Sequence, residues 1–432
     1  MSIDISSQMK DAITKPLAIL GGEKAVKGDN SELFHWPIVT EEDEQAVLEV
    51  LRAGSMSEWD ITEEFEAKFA EWQGTKYALA HCNGTMGLLA AMYGIGLGRG
   101  DELICPSITY WASALQAYSL GASVVFADID PVTLCIDPND IENHINKNTK
   151  GILLVHYCGH PCNMDSIMDI ARKHNLKVIE DVSHAHGTLY KGQKVGTLGN
   201  VAGMSMMAGK SFAIGEGGML VTDDREIYER AIAFAHYERH PQLTLPELKE
   251  NASLPLGGVK GRINQTCSAM GRVQLKHYDE RIGQIQKAMN YFWDLLKDTP
   301  GLRPHRPTDS DCTMGGWYNP VGHYLPEELG GLPVEKFIQA VEAENGKSNR
   351  GVNFPLHLHP VFNKADIYGD GKPTRIAFAN KDIRQPEGSL PISEGIGKRA
   401  FGVPWFKHYK PEIIEMYATA YRKVALQADK LK

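Results

Sequence analysis

The chain has 432 residues, 43% of them hydrophobic and 23% charged, a profile that suits one large and one smaller globular domain. Its 54 acidic and 45 basic residues leave a net charge of −9, and no strongly basic stretch offsets it, which argues against a general nucleic-acid binder. Seven cysteines without regular spacing fit a reducing compartment better than a disulfide framework. The N-terminal "MSIDISSQMKDAITKPLAILGG" lacks a basic start followed by an apolar core. With no apolar run long enough to span a bilayer, a cytoplasmic location is expected.

Helical spacing of apolar positions appears over residues 41–54 and 62–74, with Thr62-Glu63-Glu64 as a helix start. Strands and helices then alternate. "KYALAH" (76–81) precedes a glycine turn and the helix "MGLLAAMYGIG", and "ELIC" (102–105) precedes the helix "YWASALQAYSL". "SVVFADID" (123–130), "GILLVHY" (151–157), "KVIED" (177–181) and the run from Val201 to Met207 are further strands. This alternation predicts an α/β fold with a largely parallel sheet covered by helices. It ends near residue 225. A long amphipathic helix follows over 268–298, and the glycine- and proline-rich 301–333 reads as loops. The division expected is an N-terminal segment 1–40, a large domain 41–280 and a small C-terminal domain 281–432.

Ligands of open α/β sheets bind at the carboxyl ends of the strands, and four chemistry-bearing stretches fall there. In "HCNGTMGL", Gly84 and Thr85 open a helix whose free N–H groups suit a phosphate. In "PSITYWASALQ", Tyr110 and Trp111 offer an aromatic face for a flat ligand. In "VIEDVSHAHG", Glu180 and Asp181 end an apolar run, where a carboxylate needs a cationic partner, and His184 and His186 follow. In "MSMMAGKSFAIGEGGMLVTDD", Lys210 sits between a core strand and the turn Gly215-Glu216-Gly217-Gly218. Burial there would lower its pKa, as an amine nucleophile requires. Phosphate cradle, stacking aromatic, buried aspartate and strand-end lysine together describe one cofactor, pyridoxal 5′-phosphate. "HYCGHPCN" places His156, Cys158, His160 and Cys162 at alternate positions, but its glycine and proline break the strand, and no metal is expected. His357 and His359 in "HLHP" are a further candidate pair for the substrate site. A nicotinamide enzyme is disfavoured, since no G-x-G-x-x-G follows the first strand.

In order and spacing, "NGTMGL", "PSITYWASALQAYSLGASVVFADIDPVTLCIDP", "VIEDVSHAHGTLYKGQKVGTLGN" and "KSFAIGEGGMLVTDD" resemble the DegT/DnrJ/EryC1/StrS family of sugar aminotransferases. That resemblance implies fold type I, with a mostly parallel seven-stranded sheet between helices and a smaller α+β C-terminal domain. It implies that Lys210 bonds the cofactor aldehyde, Asp181 pairs with the pyridinium nitrogen and His184 meets the ring hydroxyl side. Tyr110 would stack on the ring, and Gly84, Thr85, the Met86 backbone and Ser205 would hold the phosphate. The family often brings an asparagine of a partner subunit to that phosphate from a motif like "NYRM". Here "KGRI" puts Lys260 in that slot and Gly261 in place of the usual aromatic.

The activity implied is amino transfer from glutamate or glutamine to a nucleotide-linked keto-sugar or a keto-cyclitol, by a ping-pong mechanism in a homodimer with shared sites. "LAILGGEKAV" resembles the branch acting on keto-inositols and aminohydroxybenzoate precursors. The alternatives are a synthase or dehydratase of the same family and a non-catalytic regulatory protein on this fold. Family dehydratases carry histidine in place of the lysine, so Lys210 favours the aminotransferase. The intact Lys210–Asp181 pair counts against a pure binder.

Overall fold

Seven apolar runs pair into one sheet in the computed structural model, which describes residues 6–432 except 368, 370, 374, 375, 377 and 380. The first five residues of the N-terminal stretch thus lie outside the described residues. The strands are β1 (Tyr77–His81), β2 (Glu102–Pro106), β3 (Ser123–Ala127), β4 (Thr149–Val155) and β5 (Lys177–Asp181). A small hairpin, β6 (Leu189–Tyr190) and β7 (Gln193–Lys194), precedes β8 (Val201–Ser205) and β9 (Gly218–Thr222). The order in the sheet is β1-β9-β8-β5-β4-β2-β3. β3, β2, β4, β5 and β8 are parallel, whereas β9 runs antiparallel to both β8 and β1. The sheet is therefore mostly parallel and seven-stranded, as expected. Its strands are buried almost throughout because helices cover both faces, which is why they read as continuous apolar runs.

Two readings of the sequence change. "YWASALQAYSL" forms two 3₁₀ segments, Trp111–Ser113 and Leu115–Leu120, rather than one α-helix. The break falls at Ala114, beside a hydroxyl pair, Thr109 and Ser113 (2.8 Å), that ties the chain to Asp181. Local side-chain hydrogen bonds compete with helix there. The stretch 301–333, read as loops, contains β10 (Leu302–Pro304) and β11 (Val321–Tyr324). These join β12 (Ala400–Gly402) in an antiparallel three-stranded sheet.

A second hydrophobic core, with Phe292, Trp293, Phe337, Phe401 and Tyr421, packs on that smaller sheet. The helix Gln265–Leu295 links the cores. Its Tyr278 and Ile282 pack with Phe65, Phe69 and Phe212 on the large-sheet side, and its Ile285, Met289 and Phe292 enter the second core. Among the described residues no helix is long and apolar enough to cross a membrane.

Successive residues of a strand face opposite sides of the sheet, so Glu180 and Asp181 have different fates. Glu180 turns away from the candidate site. Its carboxylate accepts His156 Nε2 (2.9 Å) and the amides of Gly196 (2.7 Å), Leu198 (2.8 Å) and Gly199 (2.6 Å). Burial alone pushes its pKa up, but His156 and the Gly199 and Gly196 amides outweigh it and hold the carboxyl below the usual glutamate range. A folded-state pKa below the unfolded one means stability that is present above the ordinary carboxyl pKa and lost on acidification. Glu180→Leu should destabilise the fold by about 3–5 kcal/mol, because it strands a buried histidine and three amides. Urea unfolding at neutral pH reads this, and an unchanged midpoint would contradict it.

Candidate active site

The carboxyl ends of β1, β2, β5 and β8 open on one edge of the sheet, and a cavity of about 470 Å³ lies there. Four turns at the strand ends supply most of its wall, namely Gly84 and Thr85 after β1, Tyr110 after β2, Asp181, Ser183 and His184 at β5, and Ser205 and Lys210 at and after β8. The topology thus brings together residues scattered over more than a hundred positions of sequence.

Lys210 lies past the end of β8, which stops at Ser205 rather than Met207. Its turn is closed by Lys210 N–H to the Met207 carbonyl and Ala208 N–H to the Gly215 carbonyl, both 2.8 Å. The indole N–H of Trp36 donates to the Lys210 carbonyl (2.7 Å) and fixes the turn from the other side. The side chain is buried, with Nζ 3.9 Å from the centre of the Tyr318 ring. Burial pulls its pKa down to about 8, while the charges of Asp181 and Cys158 act in the opposite direction.

Asp181 is held at both oxygens. Ser113 Oγ donates to Oδ2 (2.8 Å) and the Ser183 amide to Oδ1 (3.0 Å). His184 packs between Tyr157 and Tyr318, with ring centroids 5.4 and 4.6 Å away. Burial, then the charges of Lys210 and His186, push its pKa well below the usual histidine value, so the ring is neutral. Its Nδ1 accepts the Cys158 amide (3.3 Å), which leaves the ring hydrogen on Nε2. His186, by contrast, lies outside the cavity wall, against Ser211 (3.3 Å), and burial pulls it down to about 3.

The helix Gly84–Gly94 starts at Asn83, whose side chain accepts the Met86 amide (2.9 Å). The Met86 N–H, expected in the phosphate cradle, here caps the helix. The Gly84 and Thr85 amides have no hydrogen-bond partner among the described residues and remain as free donors at a helix N-terminus. Glycine is required at 84, where a Cβ would come within 2.6 Å of Ser205 Cα.

Lys260 is exposed and does not line the cavity of its own chain. A side chain at Gly261 would meet His81 Nδ1 at 3.0 Å and Met86 at 3.1 Å. His81, paired with His236 (3.1 Å), thus crowds any side chain at 261 together with Ala235 and Met86.

Of the alternate His/Cys positions, His156 serves Glu180 and the Cys162 amide, and His160 bonds the Pro161 carbonyl (2.8 Å). The Cys162 thiol donates to the Val155 carbonyl (3.2 Å). Among the described residues no group of three or more His, Cys, Asp and Glu is placed to hold a metal ion. His357 is buried between Ser107 (2.7 Å) and Glu394 (3.0 Å), and His359 packs on Phe354; neither lines the cavity.

Several wall or supporting residues carried no sequence signal: Asn83, Thr109, Ser113, Ser183, Tyr318 and Asn353. Tyr318 comes from "GGWYN" in the stretch read as loops. Gly315 and Gly316 bring it in, since a Cβ would meet the His186 carbonyl at 2.4 Å and Ser211 Cβ at 2.3 Å respectively. Paired glycines before an aromatic were the available clue.

A sequence model of the DegT/DnrJ/EryC1/StrS aminotransferase family matches residues 37–401. The chain belongs to that family. It is an aminotransferase dependent on pyridoxal 5′-phosphate. It is similar to the GDP-perosamine synthase of Escherichia coli O157:H7, 35% identical over 76% of this chain and 86% of the relative. It is also similar to the L-glutamine:2-deoxy-scyllo-inosose aminotransferase of Streptomyces kanamyceticus, 33% identical over 76% of this chain and 79% of the relative. A solved aminotransferase structure from Psychrobacter cryohalolentis superposes with a TM-score of 0.79 at 28% identity, covering 91% of this chain and 99% of that one.

The cavity fits the cofactor of this family. Free helix amides suit a phosphate, a desolvated amine suits an aldehyde and a doubly held carboxylate suits a protonated ring nitrogen. An amine of pKa about 8 should be half-reactive near that pH. In cofactor-free protein, acetylation of Lys210 by a limiting reagent should rise through a midpoint of about 8, read by peptide mass mapping. A midpoint above 10, as for a solvated lysine, would contradict the burial argument.

Proposed function

We propose that this aminotransferase moves an amino group from glutamate or glutamine to the ketone of a nucleotide-linked sugar or a cyclitol, in two half-reactions at one site. The observation that carries this reading is the single cavity shared by Lys210, Asp181, His184 and the free amides of Gly84 and Thr85. Relatives whose names include a GDP-perosamine synthase and an L-glutamine:2-deoxy-scyllo-inosose aminotransferase support the substrate class and the donor.

Bound there, pyridoxal 5′-phosphate supplies an aldehyde that takes up amines and a ring that accepts the electron pair left when a Cα–H bond breaks. The protein supplies the rest. Lys210 would hold the cofactor through its aldehyde, and its amine is the group a donor amine would replace. With its pKa lowered by burial, the Lys210 amine would serve as the base that takes the donor Cα proton and the acid that returns it. Asp181, kept in place by Ser113 and Ser183, would accept the hydrogen bond of the protonated ring nitrogen. His184, neutral with its hydrogen on Nε2, would donate to the ring hydroxyl oxygen. Tyr110 would stack on the ring, and Gly84, Thr85 and Ser205 would receive the phosphate. Lysine at position 210 also favours amino transfer over dehydration, because the amine can reclaim the aldehyde after each turnover.

Two experiments test this reading. Holoenzyme given glutamate or glutamine alone should release one equivalent of keto acid per site. Double-reciprocal plots against a panel of keto-sugars and inososes should then give parallel lines. Intersecting lines, or no keto acid from either donor, would remove the shared-site ping-pong mechanism.

The second concerns assembly. We propose a homodimer in which the partner subunit's Lys260 reaches the phosphate, which accounts for an exposed lysine in the family's cross-subunit slot. A charge-assisted contact contributes roughly 1.5–3 kcal/mol, so Lys260→Ala should weaken cofactor binding by roughly ten- to a hundredfold while dimers persist. Cofactor retention through gel filtration measures it. Unchanged affinity would make Lys260 a solvated residue.

A further inference from the structure

Two amides in the wall of the catalytic cavity have no part in holding the cofactor. Asn319 and Asn353 line it beside Tyr318, whose ring lies 3.9 Å from Lys210 Nζ. Asn319 stands just before β11, and Asn353 follows Asn349, which bridges to Gly402 of β12. Both therefore come from the side of the smaller sheet. The residues assigned to the cofactor all come from strand ends of the large one.

Each amide is held by one end. Asn319 Nδ2 donates to the Gly351 carbonyl (3.1 Å) and faces Cys158 Sγ (4.0 Å). Asn353 Oδ1 accepts the Tyr157 hydroxyl (2.7 Å), whose oxygen in turn accepts the Asn353 N–H (3.0 Å). These contacts also fix which way each amide is turned. A carbonyl only accepts, so the Asn319 atom at Gly351 is nitrogen. Tyr157 already accepts the Asn353 N–H and places its own hydrogen on the side-chain atom at 2.7 Å, which is therefore oxygen. Left over are an acceptor, Asn319 Oδ1, and a donor, Asn353 Nδ2. Neither has a hydrogen-bond partner among the described residues.

An acceptor beside a donor selects between ligand groups. A carboxylate accepts hydrogen bonds and donates none, so it suits Asn353 and is repelled by Asn319. A hydroxyl does both. We propose that Asn319 and Asn353 read hydroxyl groups on the ring of the amino acceptor, Asn353 Nδ2 donating and Asn319 Oδ1 accepting. This rests on the reading of the acceptor as a keto-sugar or keto-cyclitol. The pair determines specificity for the acceptor alone, because glutamate and glutamine carry no alcohol hydroxyl. Tyr157, fully buried, keeps the pair in register with the cofactor side of the cavity. Its hydroxyl holds Asn353 while its ring packs 5.4 Å from that of His184.

The test separates the two half-reactions of the holoenzyme in Asn319→Gly and Asn353→Ala. Asn319 sits at φ 48°, which glycine adopts freely, so the first variant removes the amide without straining the backbone. Keto acid release from glutamate or glutamine alone should match the parent in both. Amination of scyllo-inosose, or of a nucleotide-linked 4-keto sugar, should lose roughly ten- to a hundredfold in kcat/KM in each variant. Should Asn353→Ala fail to fold, Asn319→Gly decides. Variants that aminate like the parent, or that lose the donor and acceptor halves equally, would overturn the assignment. A parent enzyme that releases keto acid yet aminates neither acceptor would remove the acceptor class, and the assignment with it.

Discussion

The close approach of backbone at the meeting of β1, β8 and β9 governs everything at the catalytic edge. A Cβ on Gly84 would fall 2.6 Å from Ser205 Cα, and one on Gly218 would fall 2.4 Å from the Asn83 carbonyl carbon. Only glycine permits such contact. Because β9 is inserted antiparallel between β1 and β8, its first residue touches the start of the Gly84 helix. The helix N-terminus, with its free amides, is thereby pressed against the strand that leads to Lys210. The Gly84 helix and the main chain that leads to Lys210 are set at a fixed distance by backbone contact, which leaves only the lysine side chain free to adjust. A helix displaced by even one methyl group would move the cradle relative to the amine.

Desolvation does the chemical tuning within that frame. Lys210 is buried against the Tyr318 ring, and this disfavours its charged form. Asp181 works against that effect and keeps the pKa from falling further. The outcome, about 8, lies close to neutrality, where an amine can both take and return a proton. His184 is driven further, to the neutral form, because it is buried and near the lysine charge without any carboxylate partner. One carboxylate therefore separates the behaviour of two neighbouring bases.

The sheet was legible because its strands are buried on both faces and announce themselves as short apolar runs with turn residues between. Lys210 and Asp181 were legible because charge at the end of such a run is conspicuous. Glu180 was equally conspicuous, and only the alternation of faces in the folded strand shows that it clasps the Gly196–Gly199 turn rather than the cavity. Ser113, Ser183 and Tyr318 were not legible. Their importance comes from contacts across 68, 2 and more than a hundred positions, and serine or tyrosine in a polar loop has no periodicity to betray it. The helix expected after β2 failed for a related reason, since Ser113 turned its hydroxyl to Asp181 and Thr109. Tertiary hydrogen bonding overrode an apolar pattern that local propensity would have made helical.

Three buried lysines show how partner choice sets the use of a charge. Lys423 meets Glu344 at 2.9 Å and the Glu23 carbonyl at 2.8 Å, while Glu344 also accepts the amides of Ala18 and Ala25. Every polar atom there has a protein partner, and the cluster fastens the N-terminal segment to the C-terminal helix. Lys210 has a carboxylate near enough to moderate its pKa but no ion pair to immobilise it, so its amine stays available for reaction. Lys407 has neither, only the rings of Trp36 and Trp405. A fully paired lysine is structural because its charge is satisfied in every state of the protein. A partly paired one is reactive, since its proton is held loosely. An unpaired one gives up its proton instead, and burial against the Trp36 and Trp405 rings favours the neutral amine of Lys407.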